Sequence, residues 1–318
     1  NTQQRWSSSC RPRIHAFRNI SLSRHFHHVA FAFRKCIHIS QQFGHCRVQG
    51  TGNFLLQFHI GIQGTGQWWL AVVSLLCALV LQVLVNYAND LADGLSGVDN
   101  ETRLGPPRMI QHGRISPAAM RIAITVLILL ALACGLLLAA ASSWWLLLLG
   151  GFCVLAALAY SGGPWPLASH GLGEVTVLLF FGPVAVLGSA WVQSGDWQWQ
   201  WLAASLAVGL PIAAIMLVNN LRDSSSDAAA GKRTLAVRLG RPRSLLLYGL
   251  LLFAPSLLIS LCFQPFWALL VAAALGLWAL QLWQQVVRTE GAALNQLLAA
   301  TARYPLAISA AWLLLSLG

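Results

Sequence analysis

Charged residues are scarce in this sequence. Only 9% of the 318 residues are charged, whereas 57% are hydrophobic and 14 are tryptophan. An ordinary soluble domain has roughly 25% charged residues, because charged side chains cover much of its surface. The scarcity of charge therefore excludes most soluble folds. It indicates a single domain that crosses a membrane several times.

The sequence also lacks the patterns of a disulfide-rich or zinc-binding protein. Seven cysteines are present, but no CxxC occurs, and four of them stand in apolar runs. Cysteine in an apolar run usually behaves as a small hydrophobic residue. Cys36, His38, His45 and Cys46 can bind metals, yet their spacing matches no common zinc site. Ten-residue segments of alternating hydrophobicity are missing as well, which argues against an outer-membrane barrel.

Acidic residues are absent from residues 1–66. This segment contains eight of the Lys and Arg residues and seven of the nine His, whereas residues 67–318 have a net charge of only +3 of the total of +11. We predict two parts: an atypical basic segment at 1–66 and a transmembrane domain at 67–318. We hypothesise that the first part is a disordered, mistranslated or misjoined stretch; a genuine basic extension is the alternative. No nucleic-acid-binding motif is visible in it, so no nucleic-acid partner is predicted.

Eight apolar segments follow, and most are long enough to cross a bilayer as helices. They are 67–88, 118–141, 144–160, 174–193, 200–220, 244–262, 265–284 and 297–317. The predicted fold is therefore an all-α polytopic membrane helix bundle with eight visible spans. Arg and Lys occur only in alternate connections, which the positive-inside rule assigns to the cytoplasm. The predicted location is the inner (cytoplasmic) membrane.

Five aspartates form two clusters at segment ends on the predicted cytoplasmic side. The first cluster contains Asp90, Asp93 and Asp99, and the second contains Asp223 and Asp227. Residues three and four apart on a helix share a face. We therefore expect Asn86, Asn89, Asp90 and Asp93 to line one helix face, and Asn219, Asp223 and Asp227 to line another.

Carboxylates that share a helix face repel each other unless a cation lies between them. Carboxylate and amide oxygens are the ligands that Mg²⁺ prefers, and Mg²⁺ in such sites usually also binds substrate phosphates. The clusters therefore predict a magnesium site. Solvated acids at two helix ends are the alternative, although acids at membrane depth are costly and usually functional.

Basic residues surround both clusters. Arg103 and Arg108 follow the first, while Arg222, Lys232 and Arg233 flank the second. Arg and Lys bind phosphate oxygens well, although the positive-inside rule alone accounts for Arg238, Arg241 and Arg243. Mg²⁺ and cations beside an apolar bundle indicate chemistry on a lipid diphosphate, with the acceptor left open.

Three stretches resemble the UbiA superfamily of intramembrane aromatic prenyltransferases, and most closely its branch in menaquinone synthesis. They are NYANDLADGLSGVDNETRLGPPRMIQ at 86–111, GLGEVTVLLFFGPVAVLG at 171–188 and NNLRDSSSDAAAGKRTLAVRLG at 219–240. The resemblance covers roughly residues 67–318. It implies transfer of a polyprenyl group from polyprenyl diphosphate to 1,4-dihydroxy-2-naphthoate with decarboxylation, giving demethylmenaquinone.

The resemblance also implies roles for single residues. Mg²⁺ ligands are implied at Asn89, Asp90, Asp93, Asp99, Asp223 and Asp227. The implied diphosphate contacts are Arg103, Arg108, Arg222 and Lys232. Tyr160 is implied to lie near the acceptor, and Lys232, Tyr160 and the four aspartates other than Asp99 are implied to be catalytic. The implied partners are the prenyl diphosphate, the aromatic acceptor and the lipid bilayer, with no protein partner predicted.

Two alternatives remain from the sequence. Another enzyme of the superfamily, with a 4-hydroxybenzoate or homogentisate acceptor, would use the same metal chemistry. A secondary transporter would instead bind coupling ions with acids at mid-membrane depth. The acids here stand at segment ends on one side, and no inverted repeat is visible. Glu174 is expected only to interact with the dipole of the helix that it begins.

Overall fold

A computed structural model describes residues 67–96, 109–264 and 266–317. The basic segment 1–66 and residues Asp99, Arg103 and Arg108 therefore lie outside the described residues. Within the described ranges the chain is helical and contains no strand. The helices are α1 (Trp68–Ser96), α2 (Pro117–Ala141), α3 (Trp145–Ala159), α4 (Gly173–Leu179), α5 (Ala185–Ser194), α6 (Trp199–Arg222), α7 (Ser224–Ala229), α8 (Leu235–Cys262), α9 (Phe266–Val287) and α10 (Leu294–Leu317).

The eight predicted apolar segments all form helices, which confirms the all-α membrane bundle. Seven helical spans in the described ranges are long and apolar enough to cross a membrane. One of these is Gly173–Ser194, in which a π-helical turn, Phe180–Val184, joins α4 to α5. The eighth helix, α3, has only 15 residues. At about 1.5 Å per residue it is shorter than the roughly 30 Å hydrocarbon core of a bilayer.

Helix α6 lies at the centre of the bundle. It packs against α8, α10 and α4, and most of its residues from Ala203 to Leu221 are buried. Many of those residues are Ala or Gly, which lets neighbouring helices come close. Gly209 of α6 and Gly182 of the π-helical turn approach each other closely. A Cβ atom on Gly182 would lie 2.8 Å from the carbonyl oxygen of Ser205, so a larger residue does not fit there.

Helix α8 changes direction at Gly240. This glycine has a φ of +69° and a ψ of 167°, which interrupts the helical backbone between Leu235 and Cys262. The interruption precedes Pro242 and separates residues 235–239 from the rest of α8, which contains the apolar span. The predicted span at 244–262 therefore corresponds to the part of α8 that follows this bend.

Candidate active site

Helix α1 carries the first aspartate cluster. It continues past the apolar segment as far as Ser96, so Asn89, Asp90 and Asp93 are helical as predicted. Asp90 and Asp93 are both buried. The Asp90 carboxylate accepts hydrogen bonds from the backbone N–H groups of Met109, at 3.1 Å, and Ile110, at 3.5 Å. It thereby fastens residues 109 and 110 to the end of α1.

The second cluster is not arranged as predicted. The expectation that Asn219, Asp223 and Asp227 line one continuous helix is wrong, because α6 ends at Arg222 and Asp223 has a φ of −94° and a ψ of 5°. Asp227 lies on the separate short helix α7. Asp223 therefore lies between two helices, although its backbone N–H donates to the carbonyl of Asn219 at 3.2 Å and its carbonyl accepts from the N–H of Asp227 at 2.8 Å.

Arg222 fixes the position of Asp223. Its buried guanidinium donates from Nε to Oδ1 of Asp223 at 2.8 Å and from Nη2 to Oδ2 at 2.5 Å. It also donates to Oδ1 of Asn219 at 2.9 Å and to Oδ1 of Asn295 of α10 at 2.7 Å. Arg222, implied by the resemblance to contact diphosphate, thus has four protein hydrogen bonds that hold the end of α6 against α10.

Lys232 joins the two clusters. Its Nζ atom lies 3.0 Å from Oδ1 of Asp93, and its backbone N–H donates to the carbonyl of Asp227 at 2.8 Å. The next residue, Arg233, donates from its backbone N–H to the carbonyl of Ser169 at 2.9 Å. Asp93 therefore contacts the side chain of Lys232 and Asp227 contacts its backbone, although the two aspartates are far apart in sequence.

An apolar cavity of about 290 Å³ lies next to the first cluster. Residues from α1 to α5, the π-helical turn and Met216 of α6 line it. Asn89 and Tyr160 supply polar groups to this lining. Ser161 donates to Oδ1 of Asn89 at 2.6 Å, and the Tyr160 hydroxyl donates to the sulfur of Met216 at 3.4 Å. Tyr160 therefore lies in the cavity wall, near the aspartates.

Glu174 is a buried acid whose contacts do not follow from its position in the sequence. It lies in the first turn of α4, as expected, but only 4% of its surface is exposed. Its Oε1 atom accepts a hydrogen bond from Nδ2 of Asn220 at 2.8 Å. Its Oε2 atom is buried and has no hydrogen-bond partner within the described part of the chain. The sequence contains one indication that Glu174 is unusual: it stands directly before an apolar run in a sequence with few acids.

The donor atoms fit the chemistry of Mg²⁺, although the carboxylates are not gathered around one point. Asn89, Asp90, Asp93, Asp223 and Asp227 all offer hard oxygen ligands of the type that Mg²⁺ prefers. Between residues 67 and 317, leaving out the gaps at 97–108 and 265, no three His, Cys, Asp or Glu side chains are close enough to hold one ion. Asp93 and Asp223 instead face the cations of Lys232 and Arg222.

Sequence comparison places these features in a known family. The model of the UbiA prenyltransferase family matches residues 54–307. The chain is 41% identical over 214 residues to a 1,4-dihydroxy-2-naphthoate octaprenyltransferase of Mycobacterium tuberculosis, a match that covers 66% of this chain and 73% of that protein. An Escherichia coli K12 enzyme of the same name is 36% identical over 202 residues, covering 58% of this chain and 65% of that enzyme.

Solved structures agree on the fold. A UbiA homologue from Aeropyrum pernix K1 aligns with a TM-score of 0.65 at 17% identity, over 83% of this chain and 96% of the homologue. A homologue from Archaeoglobus fulgidus bound to GPP and Mg²⁺ aligns with a TM-score of 0.56 at 18% identity, over 83% of this chain and 98% of the homologue. The resemblance seen in the three motifs is confirmed: the chain belongs to the UbiA prenyltransferase family.

Proposed function

We propose that this protein transfers a polyprenyl group from polyprenyl diphosphate to 1,4-dihydroxy-2-naphthoate. The carboxylate of the acceptor leaves as carbon dioxide, and the product is the reduced form of demethylmenaquinone. One observation carries the proposal: an apolar cavity that Asn89 helps to line lies next to the first aspartate cluster, and Lys232 bonds to Asp93 of that cluster and to the backbone of Asp227 in the second. The names of the Mycobacterium tuberculosis and Escherichia coli relatives support this choice of acceptor.

The oxygen donors support a requirement for Mg²⁺. Asn89, Asp90, Asp93 and Asp99 would hold the ion or ions from the first cluster, and Asp223 and Asp227 from the second. Bound Mg²⁺ would neutralise negative charge on the departing diphosphate. The Archaeoglobus fulgidus homologue, bound to GPP and Mg²⁺, supports this pairing of metal and diphosphate.

The basic residues divide into two roles. Lys232, Arg103 and Arg108 contact the diphosphate oxygens and stabilise the charge that develops as the C–O bond breaks. Arg222 acts through its bidentate contact with Asp223, which it holds at the end of α6. The apolar cavity accommodates the prenyl chain and keeps water away from the allylic cation.

The membrane supplies the donor and takes up the product. The basic connections favour a cytoplasmic position for the aspartate clusters in the inner membrane, by the positive-inside rule. The prenyl chain then lies within the bundle at bilayer depth, and the soluble aromatic acceptor arrives from the cytoplasm. No nucleic-acid or protein partner is required for this reaction.

An acceptor competition assay in membranes tests the proposal. We expect prenylation of 1,4-dihydroxy-2-naphthoate to continue when 4-hydroxybenzoate or homogentisate is present in excess. Efficient prenylation of either competitor, with no naphthoate product, would assign the protein to another branch of the family. Transport of a solute without any prenyl transfer would favour the transporter alternative.

A further inference from the structure

Several helices contribute polar side chains to the wall of the apolar cavity. Asn89 and Tyr160 are two of these. Val177 of α4 and Met216 of α6 both line the cavity. Glu174 lies three residues before Val177, and Asn220 lies four residues after Met216. Since residues three and four apart share a helix face, Glu174 and Asn220 lie on the cavity side of their helices, one turn beyond its wall.

Tyr160, Glu174 and Asn220 meet around a single glycine. A Cβ atom built on Gly173 would lie 3.3 Å from the Tyr160 hydroxyl and 3.9 Å from Nδ2 of Asn220. That same Nδ2 atom donates to Oε1 of Glu174 at 2.8 Å. The absence of a side chain at Gly173 allows this close approach. The carboxylate, the amide and the phenol therefore form one polar group beside the cavity.

One oxygen of this group has unused hydrogen-bonding capacity. Glu174 is 96% buried, since 4% of its surface is exposed, and its Oε2 atom has no partner in the described ranges. An unsatisfied buried acceptor destabilises the folded state, and more so when it is charged. Such groups are uncommon in folded proteins, and a bound ligand is one partner that would satisfy them. The partner must be a hydrogen-bond donor, because a carboxylate only accepts.

We propose that Glu174 binds a hydroxyl group of the aromatic acceptor and takes its proton during transfer. The inference rests on the proposed function and deepens it. In this step the acceptor O–H bond breaks, and the proton moves to Oε2 of Glu174. The electron pair released enters the aromatic ring, and the ring carbon that carries the carboxylate bonds to the allylic carbon as the C–O bond to diphosphate breaks. The carboxylate then leaves as carbon dioxide, its bonding electron pair restores the aromatic ring, and the proton returns from Glu174 to the acceptor oxygen to give the quinol. Asn220 holds the carboxylate in place through Oε1.

The substitution Glu174→Gln tests this role in the full chain in lipid nanodiscs. Glutamine has the same size and retains an oxygen for Asn220, but it presents an amide NH₂ in place of Oε2. We expect turnover to fall by about 10²–10⁴-fold, as for loss of a general base. The KM for the prenyl diphosphate should stay unchanged. Glu290→Gln is the matched control, because Glu290 is exposed and forms an ion pair with Arg241 away from the cavity lining.

Equilibrium binding separates this role from a structural one. We expect the wild-type protein to bind 1,4-dihydroxy-2-naphthoate about tenfold or more tightly than its dimethyl ether, which cannot donate a hydrogen bond. Glu174→Gln should lose this preference. If Glu174 only stabilised the fold, the substitution would weaken the binding of both arenes and of the prenyl diphosphate to a similar extent. Equal preference in the wild type and the variant, or normal turnover by the variant, would overturn the proposal.

The binding measurement also distinguishes the two proposals from each other. If the wild-type protein binds the naphthoate through Glu174 but does not prenylate it, the proposed function fails and the hydroxyl site stands. If it prenylates the naphthoate and Glu174→Gln does so equally well, the proposed function stands and the role of Glu174 fails. If the wild-type protein binds no hydroxylated arene, the hydroxyl site is wrong.

Discussion

Lys232 forms an ion pair with Asp93 at 3.0 Å, although the two residues are 139 positions apart in sequence. Both side chains are largely buried, with 19% and 10% of their surfaces exposed. The pair connects the end of α1 to the connection between α7 and α8. It neutralises one carboxylate of the first cluster, and the backbone of the same lysine bonds to Asp227 of the second.

Substitution of Lys232 by methionine tests this junction. We expect turnover to fall by at least about 100-fold and the KM for the prenyl diphosphate to rise, because the ammonium stabilises charge on the departing diphosphate. Steady-state kinetics in nanodiscs measure both parameters. Arg233→Met is the matched control, since the side chain of Arg233 is exposed and only its backbone contacts Ser169. A similar loss of turnover in both variants would show that removal of any positive charge here lowers activity, and it would contradict a specific role for Lys232.

Substitution of Asp223 by alanine should destabilise the protein as well as inactivate it. The variant leaves the buried Arg222 guanidinium without its bidentate partner. Loss of one partner of a buried ion pair typically costs about 3–5 kcal/mol. Thermal unfolding in detergent should show a clearly lower melting temperature than Asp196→Ala, which changes an exposed loop acid. Equal melting temperatures would contradict the positioning role of Arg222.

Substitution of Gly150 by leucine should change which prenyl donors are accepted. Gly150 lines the cavity, and a Cβ atom there would meet nothing within 4 Å, so the larger side chain enters open space. We expect the variant to lose activity with long donors more than with short ones, measured as the ratio of kcat/KM for two chain lengths. Gly151→Leu is the control, because Gly151 also has open space but is not part of the cavity lining. If this ratio of kcat/KM values were the same in both variants, the cavity would not be the site that holds the prenyl chain.

Arg241 should affect stability and leave catalysis unchanged. Its Nη2 atom donates to the carbonyls of Val286, Val287 and Thr289 at the end of α9. Arg241→Met leaves these carbonyls to water, at a cost of about 1 kcal/mol. The melting temperature should fall while kcat stays constant. Arg243→Met alters an exposed arginine two residues away, and it should change neither quantity.

Hydropathy located the helices well, because bilayer depth requires long apolar runs whatever the neighbouring helices are. It placed the end of α1 at residue 88, whereas the helix continues to Ser96. The polar turn around Asp90 and Asp93 is helical because it packs against the chain at Met109 and Ile110. Apolar content alone carries no information about such a contact.

The chemistry of the site was easier to predict than its geometry. Helical spacing placed Asn89, Asp90 and Asp93 correctly on α1, because they stand within one unbroken helix. The same rule did not predict that the helix is interrupted at Asp223. It also gave no sign that Glu174 meets Asn220, because periodicity predicts which face a residue occupies but not which helix that face contacts.

Turnover in membranes, with Mg²⁺ or with EDTA, tests the central claim most directly. The membranes contain the full chain and are supplied with 1,4-dihydroxy-2-naphthoate and a polyprenyl diphosphate. We expect the prenylated naphthoquinol to form in the presence of Mg²⁺. Its formation should stop when EDTA removes the ion and resume when Mg²⁺ is restored. Formation of the same product at an equal rate in EDTA would contradict the metal role of the aspartate clusters. Absence of product with correctly inserted protein and Mg²⁺ would contradict the proposed reaction.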